Sequence, residues 1–182
     1  VNPGRPAVIA TAVTLLASMG AYEAPAGAAD LAEIPSVFFV AKSENKNQVH
    51  YGIHVDNRCA PVGDRPVFAY WRMFERGPSA TEPLLPVEVG AYGVAEQRVL
   101  SRSDGGARVR VTLGALRDRP IVIETRPDRG GCTASALTTV GGAQASLWSV
   151  YVRIKWPFGI DSLTLTGRAT DDARIVEEQI RP

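Results

Sequence analysis

The sequence predicts a mainly β domain, an antiparallel sandwich or a small barrel-like fold, and three observations carry that reading. Apolar and polar residues alternate at a period of two in run after run. No stretch sustains the 3.6-residue period of an amphipathic helix. Seventeen Gly and 13 Pro against two Met in 182 residues favour many short elements joined by turns. At this length one core is expected, and 45% hydrophobic with 21% charged residues excludes a disordered tail or a polytopic membrane protein. A net charge of +1 creates no strong field for a polyanion, so nucleic acid is not an expected partner.

Residues 1–29 read as a signal peptide: Arg5 as a basic flank, an apolar stretch over 7–21, then Ala24 to Ala29 with A-x-A character. A stretch of about 15 apolar residues falls short of the roughly 20 that a spanning helix needs. Cleavage after Ala28 or Ala29 is therefore expected in preference to a membrane anchor, with no transmembrane segment in the mature chain. An initial Val fits a GUG start codon, and with it a bacterial gene. The expected organisation is a signal at 1–29, a linker at 30–36 and a single β-rich domain at 37–182, located in the periplasm or outside the cell.

Within that domain, an apolar run at 37–42, turn chemistry in Ser43-Glu44-Asn45-Lys46-Asn47 and alternation over 49–55 predict a hairpin. A loop holds 57–65. Residues 66–74 carry Val67, Ala69, Trp71 and Met73 on one side and Phe68, Tyr70 and Phe74 on the other, the pattern of a strand covered on both faces. A Pro-rich connection spans 77–86, followed at 87–93 by one helical turn or an irregular crossing. Asp104-Gly105 between 94–102 and 107–113 predicts a second hairpin. Strands follow at 121–125 and 143–155, where Trp148, Val150, Val152 and Ile154 share one face, continued by Trp156. Pro157-Phe158-Gly159 turns the chain into 162–167, and 173–180 reads as an edge strand or a short helix. Between about eight and ten strands spaced by turns fit a sandwich or barrel.

Cys59 and Cys132 are the only cysteines. In an oxidising compartment they are expected to pair, the alternative being two buried thiols. Nucleotide, metalloprotease, EF-hand and G-x-S-x-G signatures are absent. His50, His54 and Asp56 have the residue types of a metal site, but positions i and i+4 on a strand lie about 13 Å apart, too far to share an ion. No metal and no cofactor is expected. The same His50 or His54, with Ser43 and Asp56, are the candidates for a catalytic Ser-His-Asp arrangement.

For binding there are two candidate surfaces. Residues 101–160 hold nine basic and four acidic side chains. Arg108, Arg110, Arg153 and Lys155 would line one sheet face if their strands are neighbours, suiting an anionic glycan, a lipid headgroup or an acidic envelope protein. The competing reading is a solvated surface with ion pairs. Tyr70, Trp71 and Arg72 would floor a ligand groove, or the two rings would simply be core.

The run Phe38-Phe39-Val40-Ala41-Lys42-Ser43-Glu44-Asn45-Lys46-Asn47-Gln48-Val49-His50-Tyr51, with Pro66-Val67-Phe68-Ala69-Tyr70-Trp71 and Ala91-Tyr92-Gly93, resembles an uncharacterised bacterial family of exported domains of unknown function. The resemblance implies that Lys42, Ser43, Asn45, Asn47, Tyr70, Trp71 and Tyr92 form a shared framework. It implies no reaction, cofactor or catalytic residue. The function expected is thus an exported non-catalytic β domain that binds a ligand or an envelope partner. A periplasmic hydrolase and an envelope structural or assembly component are the alternatives.

Overall fold

A computed structural model of the chain describes residues 36–103, 105–155 and 159–181. The expected signal, nearly all of the linker, Asp104 and Trp156 lie outside these residues. The described chain forms β1 (Phe38–Lys42), β2 (Gln48–Ile53), β3 (Val67–Arg72), β4 (Thr81–Pro83), α1 (Pro86–Tyr92), β5 (Val94–Ser103) and β6 (Gly106–Leu113). It continues with β7 (Leu116–Asp128), β8 (Gly131–Val140), β9 (Ala143–Lys155), β10 (Gly159–Ala169) and β11 (Ile175–Ile180). The fold is mainly β, as the period-two alternation dictates. In β6, for example, Val109, Val111 and Leu113 are buried while Arg108 and Arg110 face water.

Eleven strands form one sheet in the order β4-β3-β2-β1-β9-β8-β7-β6-β5, with β10 and β11 attached beyond β9. The sheet forks at β9. Residues 143–147 of β9 pair with β8 and residues 149–152 pair with β1, while β10 runs along almost the whole of β9. Two layers, β1 to β4 and β5 to β8, diverge from this spine and share one core. Val109, Val111, Ile121 and Ile123 from one layer and Val49 and Tyr51 from the other are 0% exposed, each of the aliphatic side chains contributing about 1.5–3 kcal/mol of transfer free energy.

The far edges of the layers meet without closing a barrel. The side-chain carboxamide of Gln97 on β5 accepts from Val67 N–H at 2.9 Å and donates to the Val67 carbonyl at 3.1 Å, so one side chain satisfies the edge of β3 as a neighbouring peptide would. Arg65 donates to the Val94 carbonyl at 2.8 Å. A third tie is the disulfide between Cys59 and Cys132, whose Cα atoms lie 5.5 Å apart. Thr125 locks that end, its hydroxyl donating to the Cys59 carbonyl at 2.6 Å and accepting from Ala107 N–H at 3.0 Å.

Several expectations need correction. The sheet is not wholly antiparallel, because β1 runs parallel to β9. Strands β4 and β8 were not expected, and 173–180 is an edge strand rather than a helix. Trp148 does not share a face with Val150 and Val152. It is 41% exposed, while Ala145 and Leu147 are buried before it and Val150 and Val152 after it. The reason is a bulge: Ser149 pairs with Thr166 and Leu147 with Gly167, leaving Trp148 without a partner and reversing the parity of the strand. A Cβ at Gly167 would lie 2.7 Å from the Ser146 carbonyl oxygen, so the approach of β10 at the bulge requires glycine.

Candidate functional site

Four of the residues singled out in the sequence converge at one end of the first layer. Lys42 ends β1 and Trp71 lies near the end of β3, both on the inward face. The turn between β1 and β2 brings Asn45 and Asn47 beside them, and α1 crosses above with Glu88. Together with Met73, Glu82, Pro83 and Leu85 they line an open cleft of about 240 Å3.

Local chemistry fixes each wall. The Lys42 ammonium sits 5.1 Å from the Trp71 ring centroid and 3.8 Å from Glu44, a cation over an aromatic face. Trp71 is buried, so its indole N–H needs an acceptor, and Glu88 Oε2 takes that hydrogen bond at 2.8 Å. The same oxygen accepts from Leu85 N–H at 2.9 Å, the reach of an N3 glutamate back to the start of its helix. Pro86 opens α1, where a missing N–H costs nothing. Asn47 accepts from Glu75 N–H at 3.2 Å and donates to the Glu75 carboxylate at 3.1 Å, and its own N–H donates to Asn45 at 3.0 Å. Tyr92 backs the Trp71 ring edge-on at 5.8 Å, and its carbonyl accepts from the buried Tyr51 hydroxyl at 2.6 Å. Burial, with Glu44 and Glu88 nearby, pushes the Tyr92 phenol up.

The candidate catalytic residues are not brought together. Ser43 accepts from Ile154 N–H at 3.1 Å and donates its own N–H to the Val152 carbonyl, continuing the join of β1 to β9. Asp56 lies beyond the other end of β2, its carboxylate accepting from the N–H groups of Arg58 and Ala60, both at 2.9 Å. That carboxylate shapes the loop in which Cys59 adopts a left-handed φ of 63°. His50 Nε2 is 3.0 Å from the Gln48 carboxamide oxygen, and His54 stacks on Phe68 at 4.3 Å between centroids. Among the described residues neither histidine is bonded to a hydroxyl or thiol, and no group of three or more His, Cys, Asp or Glu is placed to hold a metal ion.

The candidate binding residues divide in the same way. Of Tyr70, Trp71 and Arg72, only Trp71 faces the cleft. Tyr70 points to the outward face, 5.9 Å from His50, and Arg72 donates to the Pro78 carbonyl. Arg108 and Arg110 do not share a surface with Arg153 and Lys155. β7 and β8 intervene between β6 and β9, and the second pair lies past the bulge, where β9 pairs with β1. Arg108 is paired with Glu124 at 2.9 Å.

A family model described as Domain of unknown function (DUF4833) matches residues 38–179, more than three quarters of the chain. The chain belongs to the DUF4833 family. No curated protein and no solved structure matches it. The DUF4833 match runs from β1 into β11 and so includes every wall of the cleft. Sequence reasoning on this DUF4833 protein missed Met73, Glu82, Pro83, Leu85 and Glu88. A signal for Glu88 existed: Leu85-Pro86-Val87-Glu88 places an acid three residues after a helix start, within reach of a buried indole that needs an acceptor.

Proposed function

We propose that this DUF4833 domain is exported and binds a small polar ligand, without transforming it, in the cleft between Lys42, Trp71 and Glu88. The observation that carries the reading is the fixed carboxylate of Glu88, held on one oxygen by two N–H donors, across from an ammonium seated on an indole. Groups so preorganised lose little entropy on binding, and a few convergent polar groups in a concave site set the orientation of a ligand. Export is supported by the apolar segment at 7–21 and by the Cys59–Cys132 pair, which needs an oxidising compartment.

The test is to purify the protein from its host without denaturation, release small molecules with acid, and analyse them by mass spectrometry. A compound recovered with wild-type protein and absent from Lys42→Met and Glu88→Gln preparations supports binding at the cleft. Identical extracts from all three overturn it. Recovery of the protein from the cytoplasm, with its amino terminus uncleaved, would overturn export.

A further inference from the structure

We infer that the ligand is an uncharged saccharide ring, which rests on the binding role proposed for the cleft and names its substrate class. Charge favours a neutral ligand. Every ionic group lining the cleft already has a neighbour of opposite or donating character: Lys42 has Glu44, Glu82 has Arg76, and Glu88 has the N–H groups of Trp71 and Leu85. An anionic ligand would meet Glu82 and Glu88, and a cationic one would meet Lys42. A neutral ligand avoids both repulsions and the cost of desolvating an ion.

The remaining hydrogen-bonding capacity favours hydroxyls. Glu88 Oε1 and the Asn45 Nδ2 group have no partner among the described residues, and the 3.8 Å contact of Lys42 with Glu44 is longer than a hydrogen bond. The lining of the cleft thus offers one strong acceptor and two donors. A hydroxyl both donates and accepts, so neighbouring hydroxyls on one ring can donate to Glu88 while accepting from Lys42 and Asn45.

Shape favours a ring. Met73, Pro83 and Leu85 place apolar surface beside these polar groups, matching a ring whose faces are C–H and whose rim is hydroxyl. A volume of about 240 Å3 lies below the roughly 300–1,000 Å3 of sites for drug-sized ligands, which suits one ring. The open side leaves room for a glycan chain to continue into solvent.

The experiment is a glycan array of monosaccharides and short oligosaccharides, followed by titration of each hit against full-length wild-type protein, Lys42→Met, Glu88→Gln and Arg168→Ala. Glu88→Gln keeps an oxygen for Trp71 N–H, and Arg168 is an exposed residue of β10 remote from the cleft, so thermal unfolding by circular dichroism should be nearly unchanged in both. Hits that bind wild type and Arg168→Ala alike, and weaken by about tenfold or more in Lys42→Met and Glu88→Gln, support the inference. A parallel panel of free amino acids and dipeptides separates the class of ligand from the existence of a binding cleft. Binding confined to that panel and lost in the cleft variants overturns the saccharide while leaving a binding cleft. Glycan binding insensitive to both substitutions overturns the saccharide at this site, and no binding by wild type in either panel overturns the inference together with the role it rests on.

Discussion

A histidine enclosed by aromatic rings is held in its neutral form, because the charged form would lose its hydration, and His50 is enclosed in this way. Only 5% exposed, it sits among Phe39, Tyr70 and Phe74, with Nδ1 unpaired among the described residues. Burial, reinforced by the Arg72 charge, lowers its pKa to about 4. In the unfolded chain the value returns to about 6.5. Between these two pH values the unfolded state binds the extra proton, so the stability that neutral His50 allows is complete above pH 6.5 and is lost as pH falls toward 4. Wild-type protein should lose about 2 kcal/mol between pH 7 and pH 5 from this residue. Urea unfolding at the two pH values checks it, and His50→Phe should remove most of the slope. A slope unchanged in that variant would show that other groups set the acid sensitivity. Asp56 shows the limit of reading single residues. The sequence marks it as a carboxylate near two histidines, but whether it serves chemistry or a loop depends on N–H groups whose positions only the fold supplies.

At the scale of elements, alternation was enough to find β6 and most of β9, because one buried face imposes the period. It also found β2, where the residue types alternate although Val49 to Ile53 are buried on both faces. β8 escaped notice because Gly131–Val140 is built largely of Ala, Thr and Ser, residues small enough to serve on either face. The bulge at Trp148 escaped because a change of parity leaves no mark in composition. Lys42, Asn45, Asn47 and Trp71 stood out in the sequence, whereas their convergence with Glu88 was not legible, since α1 contributes no buried residue and so no apolar period. Two elements depend on single polar side chains that alternation does not reveal. Glu178 ties the edge strand β11 inward by a two-pronged pair with Arg119, one prong at 2.7 Å, and by accepting Gly141 N–H at 2.9 Å. The Arg119 hydrogen bonds, aided by that N–H, hold the Glu178 carboxyl below its usual range. Its contribution is therefore present above the unfolded value of about 4.3 and lost as pH falls through the folded one. Both side chains are about one quarter exposed. After discounting for solvent, Glu178→Gln should cost about 1 kcal/mol at pH 7, with the gap to wild type narrowing below about pH 4 in urea titrations. Gln97→Ala should cost about 1–3 kcal/mol, because Val67, 3% exposed, loses the partner of both its backbone groups. Hydrogen exchange at Val67 no faster than in wild type would refute the assignment.

For the molecule as a whole, the question is what keeps two layers that fork from one strand from opening at their far edges. Along those edges the answer is side-chain hydrogen bonding, through Gln97 and Arg65. At the disulfide end it is covalent. Cys59 and Cys132 close a span of 73 residues and join the loop after β2 to the start of β8, so the bridge crosses between layers rather than stapling one hairpin. In the chain-entropy model a closure of that length contributes roughly 4 kcal/mol, chiefly by restricting the unfolded chain. Thr125 and Asp56 hold the loop in the bonded geometry, so the fold itself should survive loss of the bridge while its stability falls. Cys59→Ser/Cys132→Ser is therefore expected to keep a β-type circular dichroism spectrum at low temperature and to unfold at a lower urea concentration, by an amount near roughly 4 kcal/mol. Wild-type protein treated with a reductant should match it. If the reduced and oxidised forms unfold at the same midpoint, the layers are held together at this end by the core and by Thr125 alone. Because the cleft lies at the opposite end of β2, the double variant should still bind whatever ligand the wild type binds, so a binding measurement at low temperature separates the two ends of the molecule.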